Sequence, residues 1–148
     1  MLKELDAEAC KILGRLPHMS LAIVLRSELM AVARYSDVPV ELETCLKDLE
    51  SYKKDFAEKV YREDGKIFAW GNDNFNRATL TEISGRCQHK LGNSAAAVAD
   101  FESMEDLCYK ANLPVRASWA MLFRARVLRD SNTKPQEILA LLNTAAQE

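Results

Sequence analysis

Apolar residues recur along this chain at steps of three and four, with no sustained alternation at steps of two. That period marks amphipathic helices, whose buried face returns about every 3.6 residues. Leu2, Leu5, Ala9, Ile12 and Leu13 share one face and are followed by Gly14 and Pro17, which predicts a capping helix over 1–16. From His18 to Tyr35, Leu21, Ala22, Val24, Leu25, Leu29, Val32 and Ala33 cover more than half a helix circumference. Such a helix is expected between neighbours. Ser36-Asp37-Val38-Pro39 turns the chain, with the proline early in the next helix, where its missing N–H is harmless. Val40 to Arg62 then places Leu42, Cys45, Leu46, Leu49, Tyr52, Phe56 and Val60 on one face and mixed charges on the other.

Arg62-Glu63-Asp64-Gly65-Lys66 breaks that helix, and 63–76 reads as an aromatic loop or short helix pinned by Phe68, Trp70 and Phe75. The central stretch, Thr79 to Ala111, folds back at Leu91-Gly92-Asn93. Leu80, Ile83, Cys87 and Leu91 form the stripe before the turn; Ala97, Val98, Phe101, Met104, Leu107, Cys108 and Ala111 form the one after it. Gly92 is expected at positive φ, and Asn93 or Ser94 as the next helix's cap. Gly85 lies mid-helix, where glycine costs about 1 kcal/mol against alanine, so a packing reason is expected. Ala95, Ala96 and Ala97 are expected to let the two backbones approach closely. Val115 to Asp130 and a last helix with Ile138, Leu139, Leu142, Ala145 and Ala146 complete the chain, with Thr133 a cap between them. The reading is all-α: about seven helices in a single domain 1–148, stacked as antiparallel hairpins 18–62, 77–111 and 114–147.

The spacing Gly85, Gly92, Ala97, Phe101 resembles a tetratricopeptide (TPR) repeat of about 34 residues: small residue, turn glycine, alanine, aromatic. Thr81, Ser84 and Gln88 stand where that family carries tryptophan, leucine and tyrosine, and its proline comes late, at Pro114. The last unit, ASWAMLFRARVLRDSNTKPQEILALLNTAAQE from Ala117 to Glu148, is similar to the helical sensor domains of maltose-regulator-type transcription activators. The tetratricopeptide resemblance implies a superhelix whose concave face is lined by the first helix of each pair. It thereby nominates Thr79, Glu82, Arg86, His89 and Lys90 as partner-binding residues. A clamp for a C-terminal carboxylate would want asparagine and lysine where Glu82 and Arg86 stand, so that partner class is unsupported.

Charge and candidate chemistry narrow the function. A formal net charge of −2 provides no global field for nucleic acid or anionic lipid. No apolar run approaches a membrane span, and the charged amphipathic start is unlike a signal peptide, so a cytoplasmic location is expected. Cys10, Cys45, Cys87 and Cys108 each lie in an apolar stripe and read as reduced, buried small hydrophobes. Cys87 and His89 are the closest Cys/His pair, but residues two apart on a helix point about 200° from each other. No metal, no cofactor and no catalytic constellation is therefore expected, and the chain is read as a non-enzyme. Arg116, Arg124, Arg126 and Arg129 spread around one helix rather than forming a basic stripe, which argues against direct nucleic-acid binding. What remains is a protein–protein interaction module, an adaptor, regulator or chaperone. It would bind a peptide segment along Thr79–Lys90 or through Phe68, Trp70 and Phe75. The alternative is an all-α homodimer sharing the first helix and helix 18–35.

Overall fold

A computed structural model describes residues 19–57, 61–63, 66–68, 73–131 and 135–147. The helix expected over 1–16, the side chains of Phe68 and Trp70, and the cap expected at Thr133 lie outside the described residues. Six helices follow in order: α1 Met19–Tyr35, α2 Pro39–Tyr52, α3 Asn74–Lys90, α4 Ser94–Lys110, α5 Pro114–Asp130 and α6 Pro135–Gln147. The fold is all-α, with each helix packed against its sequence neighbours and α3 packed on α1 as well.

Two expectations need correction. The helix expected to run to Arg62 ends at Tyr52, widens into one π turn over Lys53–Ala57, and gives way to a small hairpin. Its strands, β1 Tyr61–Glu63 and β2 Lys66–Phe68, pair antiparallel with Tyr61 opposite Phe68 and Glu63 opposite Lys66. The sequence between them, Asp64-Gly65, is a pair that two-residue hairpin turns favour. Three residues per strand are too few to show as an alternating pattern. The aromatic loop also ends earlier than expected. Asp73 caps α3, its carboxylate accepting from the Asn76 N–H at 2.7 Å, so Phe75 belongs to the first helical turn.

The turns follow their residues. Gly92 adopts φ +82°, its N–H bonding to the His89 carbonyl (3.1 Å) while Asn93 N–H bonds to Gln88 (2.9 Å). This is the Schellman arrangement that satisfies a helix's last carbonyls. Asn112 repeats it at φ 58° after α4, its N–H bonding to the Tyr109 carbonyl and the Leu113 N–H to that of Cys108. Asn93 begins α4 as expected, but its side chain donates to Gln88 instead of capping.

Two apolar clusters meet at α3. One gathers Leu29 and Ala33 of α1, Leu42, Cys45 and Leu49 of α2, and Leu80, Ile83 and Cys87 of α3. The other joins Ala78 of α3 to Ala97, Phe101, Met104 and Cys108 of α4 and Ala117, Ala120 and Val127 of α5. Gly85 serves the second interface: a Cβ there would stand 2.7 Å from Phe101 Cε1, well inside ordinary contact. Of the three alanines expected to permit close approach, Ala97 is buried and Ala95 and Ala96 are exposed. The last helix, α6, has no buried residue, and Leu139 and Leu142 on it are exposed.

Candidate functional site

With α3 buried on two sides, its remaining face is shared with α1 and α5. Phe75, Thr79, Glu82 and Arg86 recur on that face at steps of four, three and four. From α1, Arg26, Met30 and Arg34 form an i, i+4 row, and α5 contributes Arg116 and Trp119. All of these but Arg86, which pairs with Glu82, line a groove of about 470 Å³.

Glu82 is the floor of this groove and is 1% exposed. Its Oε2 accepts from Arg86 Nε at 3.0 Å and faces Arg34 Nη2 at 3.5 Å, while Oε1 faces Arg116 Nη2 at 3.5 Å. A buried carboxylate is tolerated only when paired, and here three helices each supply a guanidinium. Thr79 extends the network, accepting from Arg116 Nη2 at 3.0 Å and donating to the Phe75 carbonyl at 3.1 Å. Arg26 donates to Asn76 Oδ1 at 2.6 Å. Both Arg26 and Arg116 also lie over the Phe75 ring, 5.9 and 5.2 Å from its centroid. Arg86 sits 4.4 Å from the Phe123 centroid, a closer cation–π contact. Around this charge, Tyr35, Phe75 and Trp119 remain exposed.

The five residues nominated on α3 therefore share one side of the molecule but do different work. Thr79 and Glu82 line the groove, although Glu82 is buried beneath guanidiniums rather than offered to a partner. Arg86 is held by Glu82 and Phe123. His89 Nε2 meets Asp130 Oδ2 at 2.6 Å, which ties the ends of α3 and α5. This contact and Arg129 hold the Asp130 carboxyl below the usual carboxylate range. Lys90 Nζ donates to the carbonyls of Arg34 (2.9 Å) and Ser36 (2.7 Å), closing the C-terminal end of α1 as a cation suits a helix's negative end. Phe75 lies in the groove, whereas Phe68 and Trp70 fall outside the described side chains.

The sequence pattern does not single out Arg26, Arg34, Tyr35 or Trp119 for this site, and it groups Arg116 with Arg124, Arg126 and Arg129, of which Arg126 lies 5.9 Å from the Phe123 centroid and the other two pair outside the groove. Arg124 faces Glu102 and Glu105 of α4 at 3.6 and 3.8 Å, and Arg129 pairs with Asp130. The signal for the groove was the same-face recurrence of Arg and aromatic residues on alternate helices.

Among the described residues, no group of three or more His, Cys, Asp or Glu side chains is placed to hold a metal ion. None of the described helices is long and apolar enough to cross a membrane. Cys45, Cys87 and Cys108 are buried. A hydrogen bond shared by the two thiols, followed by burial, pushes Cys45 up, and the same bond pulls Cys87 down; burial raises Cys108. Reactive cysteines combine a lowered value with open surroundings, whereas Cys87 is 0% exposed. A second groove of about 550 Å³, between α1 and α2, is apolar with a carboxylate rim of Glu28, Glu41, Asp48 and Asp55. Comparison of the chain with known protein families, with curated proteins and with solved structures finds no match in any of the three.

Proposed function

We propose that this protein is a helical interaction module that binds a protein segment in the groove between α1, α3 and α5. The observation that carries this reading is the placing of that groove. It runs along the first helix of each of three hairpins, and exposed Phe75 and Trp119 stand beside ordered guanidiniums there. Aromatic and arginine side chains are the residue types that dominate binding energy at protein interfaces. Rings and guanidiniums already held by neighbours lose little freedom when a ligand arrives. A tetratricopeptide-like organisation, in which first helices line the concave face, accords with this arrangement. The expected role is that of a cytoplasmic adaptor, regulator or chaperone without catalysis of its own.

The test is selection of random dodecapeptides displayed on phage, run in parallel on the full chain and on Trp119→Ala. Sequences enriched only by the parent are expected. Equal enrichment by both proteins, or none by either, would refute the groove as a binding surface.

A second reading has an observation of its own. Ile23 and Val24 on α1 and Leu139 and Leu142 on α6 are exposed, which suits self-association into a regulatory or structural dimer. Sedimentation velocity at micromolar concentration decides it, since a monomer there removes the dimer.

A further inference from the structure

The charge balance of the groove specifies its occupant further, a step that rests on the proposal that a protein segment lies there. The guanidiniums of Arg34, Arg86 and Arg116 converge on Glu82 from three helices. Arg26 joins them through Asn76 and the Phe75 ring. Three guanidiniums present about fifteen N–H donors, whereas one carboxylate accepts at about four sites. Glu82 therefore fixes the cluster without saturating it. Among the described residues, the three guanidiniums that face Glu82 outnumber its single negative charge, in a chain whose formal net charge is −2. Arg34, at 42% side-chain exposure, stays open to an incoming anion.

We propose that the groove takes an extended segment carrying an Asp or Glu side chain close to an aromatic or large aliphatic one. The ligand carboxylate would be met by the Arg34 and Arg116 guanidiniums, whose planar forks match carboxylate geometry. The neighbouring apolar side chain would lie against Phe75 and Trp119, both about half exposed. Water replaced by such a pair leaves the guanidiniums better satisfied than Glu82 alone leaves them. Convergence on one point also suits isolated carboxylates better than a polymer of phosphates, which binds cations laid out along a track.

The experiment uses the full chain and the dodecapeptides selected as above, each synthesised with a fluorescent label and again with every Asp and Glu changed to Asn and Gln. Affinities are read by fluorescence anisotropy at 50 and 300 mM NaCl. The selected peptides are expected to be rich in Asp and Glu. Neutralising them should weaken binding about tenfold at low salt and less at high salt. Arg34→Gln should lose a similar factor for the acidic peptide only, and Arg34→Lys an intermediate one, with unchanged helical circular dichroism in both. Selected peptides without acidic bias, or equal affinity of the acidic and neutral forms, would overturn this inference while leaving the groove intact. Acidic peptides indifferent to Arg34→Gln would place them elsewhere and overturn it too. Tighter binding of a labelled dT12 oligonucleotide would assign the cluster to nucleic acid instead. An empty selection overturns both proposals.

Discussion

Replacing Glu82 by glutamine removes one charge from the floor of the groove while keeping its shape, and two readouts should move in opposite directions. The carboxylate makes one charge-assisted hydrogen bond, to Arg86 Nε at 3.0 Å, and two longer contacts at 3.5 Å. A hydrogen bond to a charged group contributes about 1.5–3 kcal/mol, and removing one partner of a buried ion pair costs about 3–5 kcal/mol. The lower range applies here, because the groups left behind are arginines that still touch water, at 42%, 24% and 17% exposure. Glutamine retains one acceptor oxygen but turns an NH₂ towards a guanidinium. A loss of about 2 kcal/mol in urea unfolding is expected, smaller in 1 M NaCl. The same change leaves the arginines without their resident anion, so acidic dodecapeptides should bind about three- to tenfold more tightly at low salt, as an added positive charge near the ligand predicts. Unchanged stability would refute the view that Glu82 holds the cluster together. Weaker peptide binding by a variant that remains folded would make Glu82 a ligand contact instead.

Three further outcomes test the frame around the site. Gly85→Ala gains about 1 kcal/mol of helix propensity but overpacks against Phe101, at about 1–3 kcal/mol, so a net loss near 1 kcal/mol is expected. Combining it with Phe101→Leu should give less than the additive loss in urea unfolding; strict additivity would deny the contact. Asn112→Val places a β-branched residue at φ 58° and should cost about 1–2 kcal/mol, whereas Asn112→Gly should stay near the parent; equal midpoints for both would deny the left-handed cap. Burial pushes the Asp100 carboxyl up, while the Ser84 hydroxyl bond and Lys53 pull it down. The folded state thus binds more protons there than the unfolded chain, and stability falls as pH rises through the carboxylate range. Asp100→Asn should therefore raise the urea midpoint at pH 7 and not at pH 3, and an equal gain at both would refute the burial argument.

The helices were legible because their apolar stripes are long and their boundaries carry residues with clear physical roles. Pro39 and Pro114 each stand at the first position of a helix, and Gly92 ends one at positive φ. The small residue at Gly85 and the aromatic at Phe101, singled out by spacing alone, meet across the central hairpin. The segment after Tyr52 was misread since an apolar residue every three or four positions continues through Phe56 and Val60, beyond the point where the α-helix ends. The groove was only half visible. Its α3 face follows from the resemblance, which offers Glu82 to a partner, but a lone glutamate among polar residues gives no reason to be buried until its own partners are known. Those partners, Arg34 and Arg116, lie 48 and 34 positions away in sequence (82 − 34 and 116 − 82), and pattern within one helix cannot supply such a pairing.

The arrangement of α3 explains why groove and core belong together. One face of this helix packs with α1 and α2, a second receives Phe101 at Gly85, and the third carries Glu82 and Arg86. The contacts run on without a gap: Phe101 lies 5.3 Å from Phe123 between ring centroids, Phe123 carries the Arg86 guanidinium on its face, and Arg86 holds Glu82. Each guanidinium of the groove is thus positioned by a ring or a carboxylate that the packing has already fixed. A ligand bound there needs little reordering of the protein, which favours affinity drawn from preorganisation over affinity drawn from area. The same dependence sets a condition on any partner. A partner held in the proposed groove, which α1, α3 and α5 assemble together, must bind the folded stack and stabilise it by mass action, by about 2.7 kcal/mol at a hundred times its dissociation constant. A segment that binds an isolated hairpin of this chain as tightly as the whole would be reading a different surface.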